Sequence, residues 1–230
     1  VLVHGFALTM QSWVLQRRAL IHAGFRVVSY DQRGHGRSGV PDLQRCTVAQ
    51  LGRDLAAVLD ATCASGPVVL VGHSMGGMTI LELAHRSPLL FGDRVLGVAL
   101  ISTSAGEMSD VTLGLPSFAA RSLRALAPSV IQLGRRTTQL LERSRHFGSD
   151  LAVLVTKVYA FADDVPVELV DFRLEMINAT PIDVLADFLP ALGEHDVFDA
   201  LDVLNGTETL VLVGAQDLLS IEQEGEQTYL

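Results

Sequence analysis

The sequence predicts an α/β fold: a mostly parallel sheet with helices on both faces and a helical segment inserted between two of its strands. Three observations carry this. Short β-branched runs alternate with helical patterns through the first half. The strand candidates are apolar throughout and do not alternate, the pattern of strands buried on both faces of a parallel sheet. From Ala105 to Asn205 no convincing strand occurs, and then Thr209–Val213 returns as one.

Val1-Leu2-Val3 reads as the first strand, followed by a helix over Gln11–Ala23 that Gly24 ends. Arg26–Tyr30 is the next strand. Thr47–Thr62 is the next helix, with Thr47 placed to cap it. Val68–Val71 follows the Gly66-Pro67 break, Ser74–Arg86 is helical and stops before Pro88, and Val95–Ile101 is another buried strand. Pro116, Pro128, Pro166, Pro181 and Pro190 divide the long helical stretch. The expected organisation is therefore a core made of 1–104 and 206–230, with 105–205 as a helical cap over the sheet's carboxyl ends, where ligands of such sheets bind. A separate helical domain is the alternative for 105–205.

Bulk properties narrow the classes. The 230 residues suit one core with an insertion, at 49% hydrophobic and 19% charged. A formal net charge of −9 argues against a nucleic-acid partner, since such binding rests on phosphate neutralisation. No apolar run approaches the roughly 18 residues of a membrane span. Residue 1 is Val, inside a strand pattern, so the N-terminus is read as cut and a signal peptide would be out of view. Cys46 and Cys63 flank the 47–62 helix, which holds them roughly 25 Å apart and rules out a bridge between them. Two free thiols fit a reducing compartment, so a cytoplasmic location is expected. Arginine outnumbers lysine sixteen to one, as in proteins of GC-rich bacterial genomes.

The chemistry concentrates in Gly72-His73-Ser74-Met75-Gly76-Gly77, directly after one strand and opening a helix. A strand-to-helix turn this tight strains the backbone at Ser74 and leaves no room for side chains at 72 and 76. Glycine at both lifts the Ser74 hydroxyl into the cleft, above a helix N-terminus with a free N–H at Met75. His4-Gly5-Phe6 follows the first strand. Asp31-Gln32-Arg33-Gly34-His35-Gly36-Arg37-Ser38 follows the second. The latter contains a literal G-x-G-x-x-G, but Val40-Pro41 comes next where dinucleotide binding requires a helix, so a nucleotide site is rejected. Glu82-Leu83-Ala84-His85 is a lone E-x-x-H, and no metal or other cofactor is expected.

These motifs resemble the α/β-hydrolase family, in particular its esterase- and lipase-like members with helical caps. The resemblance implies Ser74 as nucleophile and backbone N–H groups of Phe6 and Met75 as the oxyanion hole. It also implies Asp217, just past the last strand, as the acid that orients a histidine base. The aspartate and arginine of the 31–38 loop are expected to pair and brace it. In the family's order the histidine follows the acid, whereas all seven histidines here precede Asp217. The base is thus expected beyond residue 230, the chain as given is expected to be inactive, and His195 is the only substitute in view. A serine at the elbow implies acyl transfer from a small carboxylic ester to the serine and then to water, because relatives that open epoxides carry aspartate there. C–C bond hydrolysis, enol-lactone opening and perhydrolysis share these residues, and a non-catalytic binding protein of the same fold is the alternative from another class. Six arginines (Arg121, Arg124, Arg135, Arg136, Arg143 and Arg145) stand against the single acid Glu142 between Ser117 and Phe147. They are expected either to face the acidic second half of the cap or to steer anionic substrates.

Overall fold

A computed structural model of the chain describes residues 1–39, 46–106 and 165–214. Asp217, the six arginines and His146 lie outside the described residues.

The described strands are β1 (Leu2–Val3), β2 (Val68–His73), β3 (Val95–Ile101) and β4 (Glu208–Leu212). They form one parallel sheet in the order β1-β2-β3-β4. The expected strand at Arg26–Tyr30 reduces to a single parallel bridge, Leu2 to Ser29, with the Leu2 N–H donating to the Val28 carbonyl at 2.9 Å. β1 is only two residues long, so its outer neighbour has little ladder to join.

Helices α1 (Val14–His22), α2 (Val48–Thr62) and α3 (Met75–Arg86) fall where the periodicity placed them. The first begins as a 3-10 turn over Met10–Trp13, capped by the Thr9 hydroxyl. Thr47 Oγ1 accepts the Gln50 N–H at 3.2 Å, as an N-cap does. α2 buries Val48, Leu51, Leu55 and Leu59, one stripe of its surface. α3 is buried on every side from Met75 to Ala84, which makes it the axis of the core.

Among the described residues, three more helices precede β4: α4 (Val167–Ala179), α5 (Ile182–Gly193) and α6 (Ala200–Leu204). Pro166 and Pro181 stand at helix starts, where a missing N–H costs nothing. Pro190 does not divide two helices as expected; it lies inside α5, close enough to the end that only one late backbone bond is forgone.

The main apolar cluster joins Leu55, Leu70, Ile80, Val98 and Leu100 with Ala200 and Leu204 of α6. α6 thus packs with the core, although it falls inside the 105–205 segment. The same segment is pinched at its base: the Val197 N–H donates to the Ala105 carbonyl at 2.8 Å, joining the chain that leaves β3 to the chain that returns toward β4. The opposite sheet face, at Val69, Leu210 and Leu212, is about half exposed. Cys46 and Cys63 are both buried, and neither is in a disulfide. Among the described residues, no helix is long and apolar enough to cross a membrane, and no group of three potential metal ligands occurs.

Candidate active site

Ser74 stands between the last residue of β2 and the first of α3, with φ 51° and ψ −121°. A non-glycine residue there is strained by roughly 1–3 kcal/mol and needs its surroundings to hold it. They do so at the Ser74 backbone. Its N–H donates to the Ile101 carbonyl at 2.9 Å. Its carbonyl accepts from the N–H groups of Gly77 (2.8 Å) and Met78 (3.2 Å) and from Thr103 Oγ1 at 2.7 Å.

The glycines do what their positions require. A Cβ on Gly72 would lie 2.5 Å from the Gly76 carbonyl oxygen, and one on Gly76 would strike the Val3 carbonyl. The second contact shows where the elbow sits. β1 pairs with β2 through Val3 and Gly72, so the turn after β1 runs along the elbow. A Cβ on Gly5 would meet His73 Nδ1 at 2.7 Å. The fold therefore brings His4-Gly5-Phe6 and Ser74-Met75 together, two segments about seventy residues apart in sequence. Met75, as the first residue of α3, has no intrahelical acceptor for its N–H. The Phe6 N–H donates to no other described residue.

A buried polar network braces this corner. His4 is fully buried, donates from Nδ1 to the Gly5 carbonyl at 2.8 Å and accepts the Gln32 N–H at Nε2 at 2.8 Å. Gln32 Nε2 donates back to the His4 carbonyl at 2.6 Å. Thr79 Oγ1 lies 2.9 Å from Gln32 Oε1 and 2.8 Å from the Met75 carbonyl. Burial pulls the His4 pKa down to about 4, and burial likewise lowers that of His35, so both rings are neutral near pH 7. The role of this network was not legible from the motifs. Its signal is Thr79, a polar residue inside the apolar run Met78–Leu81 of α3.

Asp31 and Arg33 brace their loop, but not by pairing with each other as expected. Asp31 accepts the backbone N–H groups of Met10 (2.8 Å) and Arg37 (3.0 Å). Arg33 makes a two-pronged contact to Asp54 of α2, at 2.5 and 2.6 Å. His195 sits two helical turns from the elbow, its Nδ1 4.0 Å from Glu82 of α3, so it does not stand in for the base at Ser74. The E-x-x-H pair diverges as well: Glu82 bonds Arg86, while His85 faces Asp199. His73 packs edge-on to Trp13, ring centroids 6.5 Å apart.

Over Phe6 and Met75 lies α5. Val184 and Phe188, one turn apart, form a second apolar cluster with Cys46, Leu51 and Met75, and Phe6 and Leu192 pack against it.

The family model for the alpha/beta hydrolase fold matches residues 1–228. The chain belongs to the α/β-hydrolase family. A thermophilic esterase from Thermogutta terrifontis superposes with a TM-score of 0.66 at 27% identity, covering 95% of this chain and 72% of that one. A hydrolase from Pseudomonas aeruginosa gives 0.64 at 28% identity, with 95% and 72% coverage. Epoxide hydrolase A from Mycobacterium tuberculosis is 38% identical over 106 residues, 46% of this chain and 31% of its own length. The chain spans about a third of the length of such curated relatives in the matched segments. Membership makes this chain a hydrolase-fold protein whose relatives include hydrolases.

Proposed function

We propose that this chain carries the catalytic core of a serine hydrolase that cleaves a small carboxylic ester through an acyl-enzyme. One observation supports this above the others: Ser74 is held at φ 51° on the turn from β2 into α3, between glycines that admit no side chain. Strain of this kind is retained where it serves chemistry. In this reading Ser74 Oγ attacks the ester carbonyl while a histidine, oriented by Asp217, takes its proton. The carbonyl oxygen becomes an oxyanion that accepts from the Phe6 and Met75 N–H groups, and the α3 dipole favours that charge. The alcohol leaves with the proton, and water then hydrolyses the Ser74 ester by the same route. The substrate is a small molecule taken into the cleft beneath the cap.

The resemblance to an epoxide hydrolase supplies a second reading. It is disfavoured by serine at the elbow, since epoxide-opening relatives place a carboxylate there.

The test uses the full-length protein. A fluorophosphonate probe should label Ser74, and p-nitrophenyl esters should turn over. Ser74→Ala should abolish both with the circular dichroism spectrum unchanged. Asp217→Asn should lower kcat by about four orders of magnitude, as loss of the orienting acid does elsewhere. Turnover of styrene oxide in place of esters, with Ser74 unlabelled, would sink the proposal.

A further inference from the structure

The loop after the second strand segment carries a histidine for which the ester chemistry has no use. His35 is fully buried. Its Nδ1 lies 2.9 Å from the Arg33 carbonyl and its Nε2 3.1 Å from the Ala7 nitrogen. A carbonyl can only accept and a backbone N–H can only donate. The ring is therefore the Nδ1–H tautomer, with Nε2 the acceptor for Ala7.

Ala7 is a residue that needs holding. It is buried, and its φ of 59° lies in the left-handed region. The Leu8 N–H donates to the Gly5 carbonyl at 3.2 Å, closing a four-residue turn with Phe6 and Ala7 at its centre. The Phe6 N–H that would meet the oxyanion belongs to this turn. Besides the packing of Phe6, the turn is held at the Ala7 N–H by a hydrogen bond to His35. The ring is itself fixed from three sides: Phe6 edge-on at 6.2 Å, His4 at 5.4 Å and Phe188 of α5 at 5.7 Å between centroids. Next to it, a Cβ on Gly34 would lie 2.6 Å from Val184 Cγ1, so α5 presses directly on this loop.

We propose that His35 is a positioning residue of the oxyanion hole: by accepting the Ala7 N–H it fixes the Gly5–Leu8 turn and so aims the Phe6 N–H at the oxyanion formed on Ser74. The proposal rests on the ester-hydrolase reading above. Its physical basis is that an oxyanion donor acts through preorganisation, so a donor free to swing loses most of its effect even though it is still present.

The experiment compares His35→Leu, which offers no acceptor, with His35→Gln, whose Oε1 reaches the place of Nε2. Full-length protein is used, with a p-nitrophenyl ester as substrate and an alkyl boronic acid as tetrahedral mimic. His35→Leu should lower kcat about tenfold to a hundredfold with KM within about twofold, and weaken the boronic acid in the same proportion. His35→Gln should regain most of the loss. Equal losses in the two variants, or a lowered Tm with kcat unchanged, overturn the proposal and leave His35 a core residue. Should His35→Leu fail to fold, the ring ¹⁵N spectrum of the unmodified protein decides. A proton on Nδ1 supports the assignment, and a proton on Nε2, which could not accept from Ala7, overturns it. A wild-type protein that neither labels at Ser74 nor hydrolyses the ester overturns the hydrolase reading and this proposal together, an outcome distinct from loss in the variants alone.

Discussion

At the scale of single residues, the corner beneath Ser74 depends on two histidines staying neutral. His4 accepts a backbone N–H at Nε2, so a second ring proton would be thrust against the Gln32 N–H. Its pKa in the fold is about 4, below the ordinary 6.5 because burial disfavours the charged ring. The sign follows from proton uptake. Between pH 6.5 and 4 the unfolded chain binds a proton at this site and the folded chain does not, so stability is complete above 6.5 and is lost as pH falls toward 4. Between pH 7 and pH 4.5 the loss at His4 should be about 2 to 3 kcal/mol. His35 acts in the same direction. Urea midpoints at the two pH values check this. The fall should be visibly smaller in His4→Gln, which retains an acceptor and does not titrate. Parallel falls in the two proteins would show that other groups carry the acid sensitivity.

At the scale of elements, α5 is where the inserted segment meets the site. Its apolar positions 184, 188 and 192 recur every four residues, so they share one face, and that face lands on Met75, Leu51 and Phe6. Phe188 is fully buried there. Truncating such a ring costs about 3–5 kcal/mol. That loss should not unfold the whole molecule, because Phe188 lies in a separate cluster from the sheet core. It should release α5 locally. In Phe188→Ala, hydrogen exchange at α5 amides should speed up by on the order of a hundredfold or more, while β2 and α3 keep their protection. Uniform acceleration across β2, α3 and α5 would mean that the helix and the core open as one unit. Since Phe188 also touches His35, ester turnover should fall in the same variant.

At the scale of the whole molecule, the two faces of the sheet are unequal. Leu70, Val98 and Leu100 are buried under α2, α3 and α6, whereas Val69, Leu210 and Leu212 on the other face are about half exposed. α1 buries none of its residues; Leu15 on it and Phe25 just after it are exposed. Exposed apolar side chains on one face of a sheet make a patch that an apolar dye can occupy. The isolated 230-residue chain should therefore bind anilinonaphthalene sulfonate in its native state. Leu210→Ser with Leu212→Ser should reduce the dye signal with little change in Tm. A signal that is absent from the start, or indifferent to those changes, would show the face to be covered.

The sequence by itself determined the parallel sheet, the approximate limits of α1 to α3 and the elbow, because each is encoded within a few neighbouring residues. Thr47 caps its own helix, apolar strand runs announce a parallel sheet although β4 stays largely exposed, and Gly72 and Gly76 flank the serine whose strain they permit. The tertiary structure alone decided which distant groups complete the site. Arg33 reaches Asp54 and leaves Asp31 to hold backbone N–H groups, a choice set by where α2 lies. Thr103 clamps the Ser74 carbonyl from the far end of β3, and His35 holds Ala7 from a loop 28 residues away. The Arg26–Tyr30 strand shrank to one bridge because β1 offers it only two residues. Periodicity and turn chemistry are local and can be read along the chain. Hydrogen-bond partners brought together by folding depend on the relative placement of whole elements, and no short stretch of sequence specifies that.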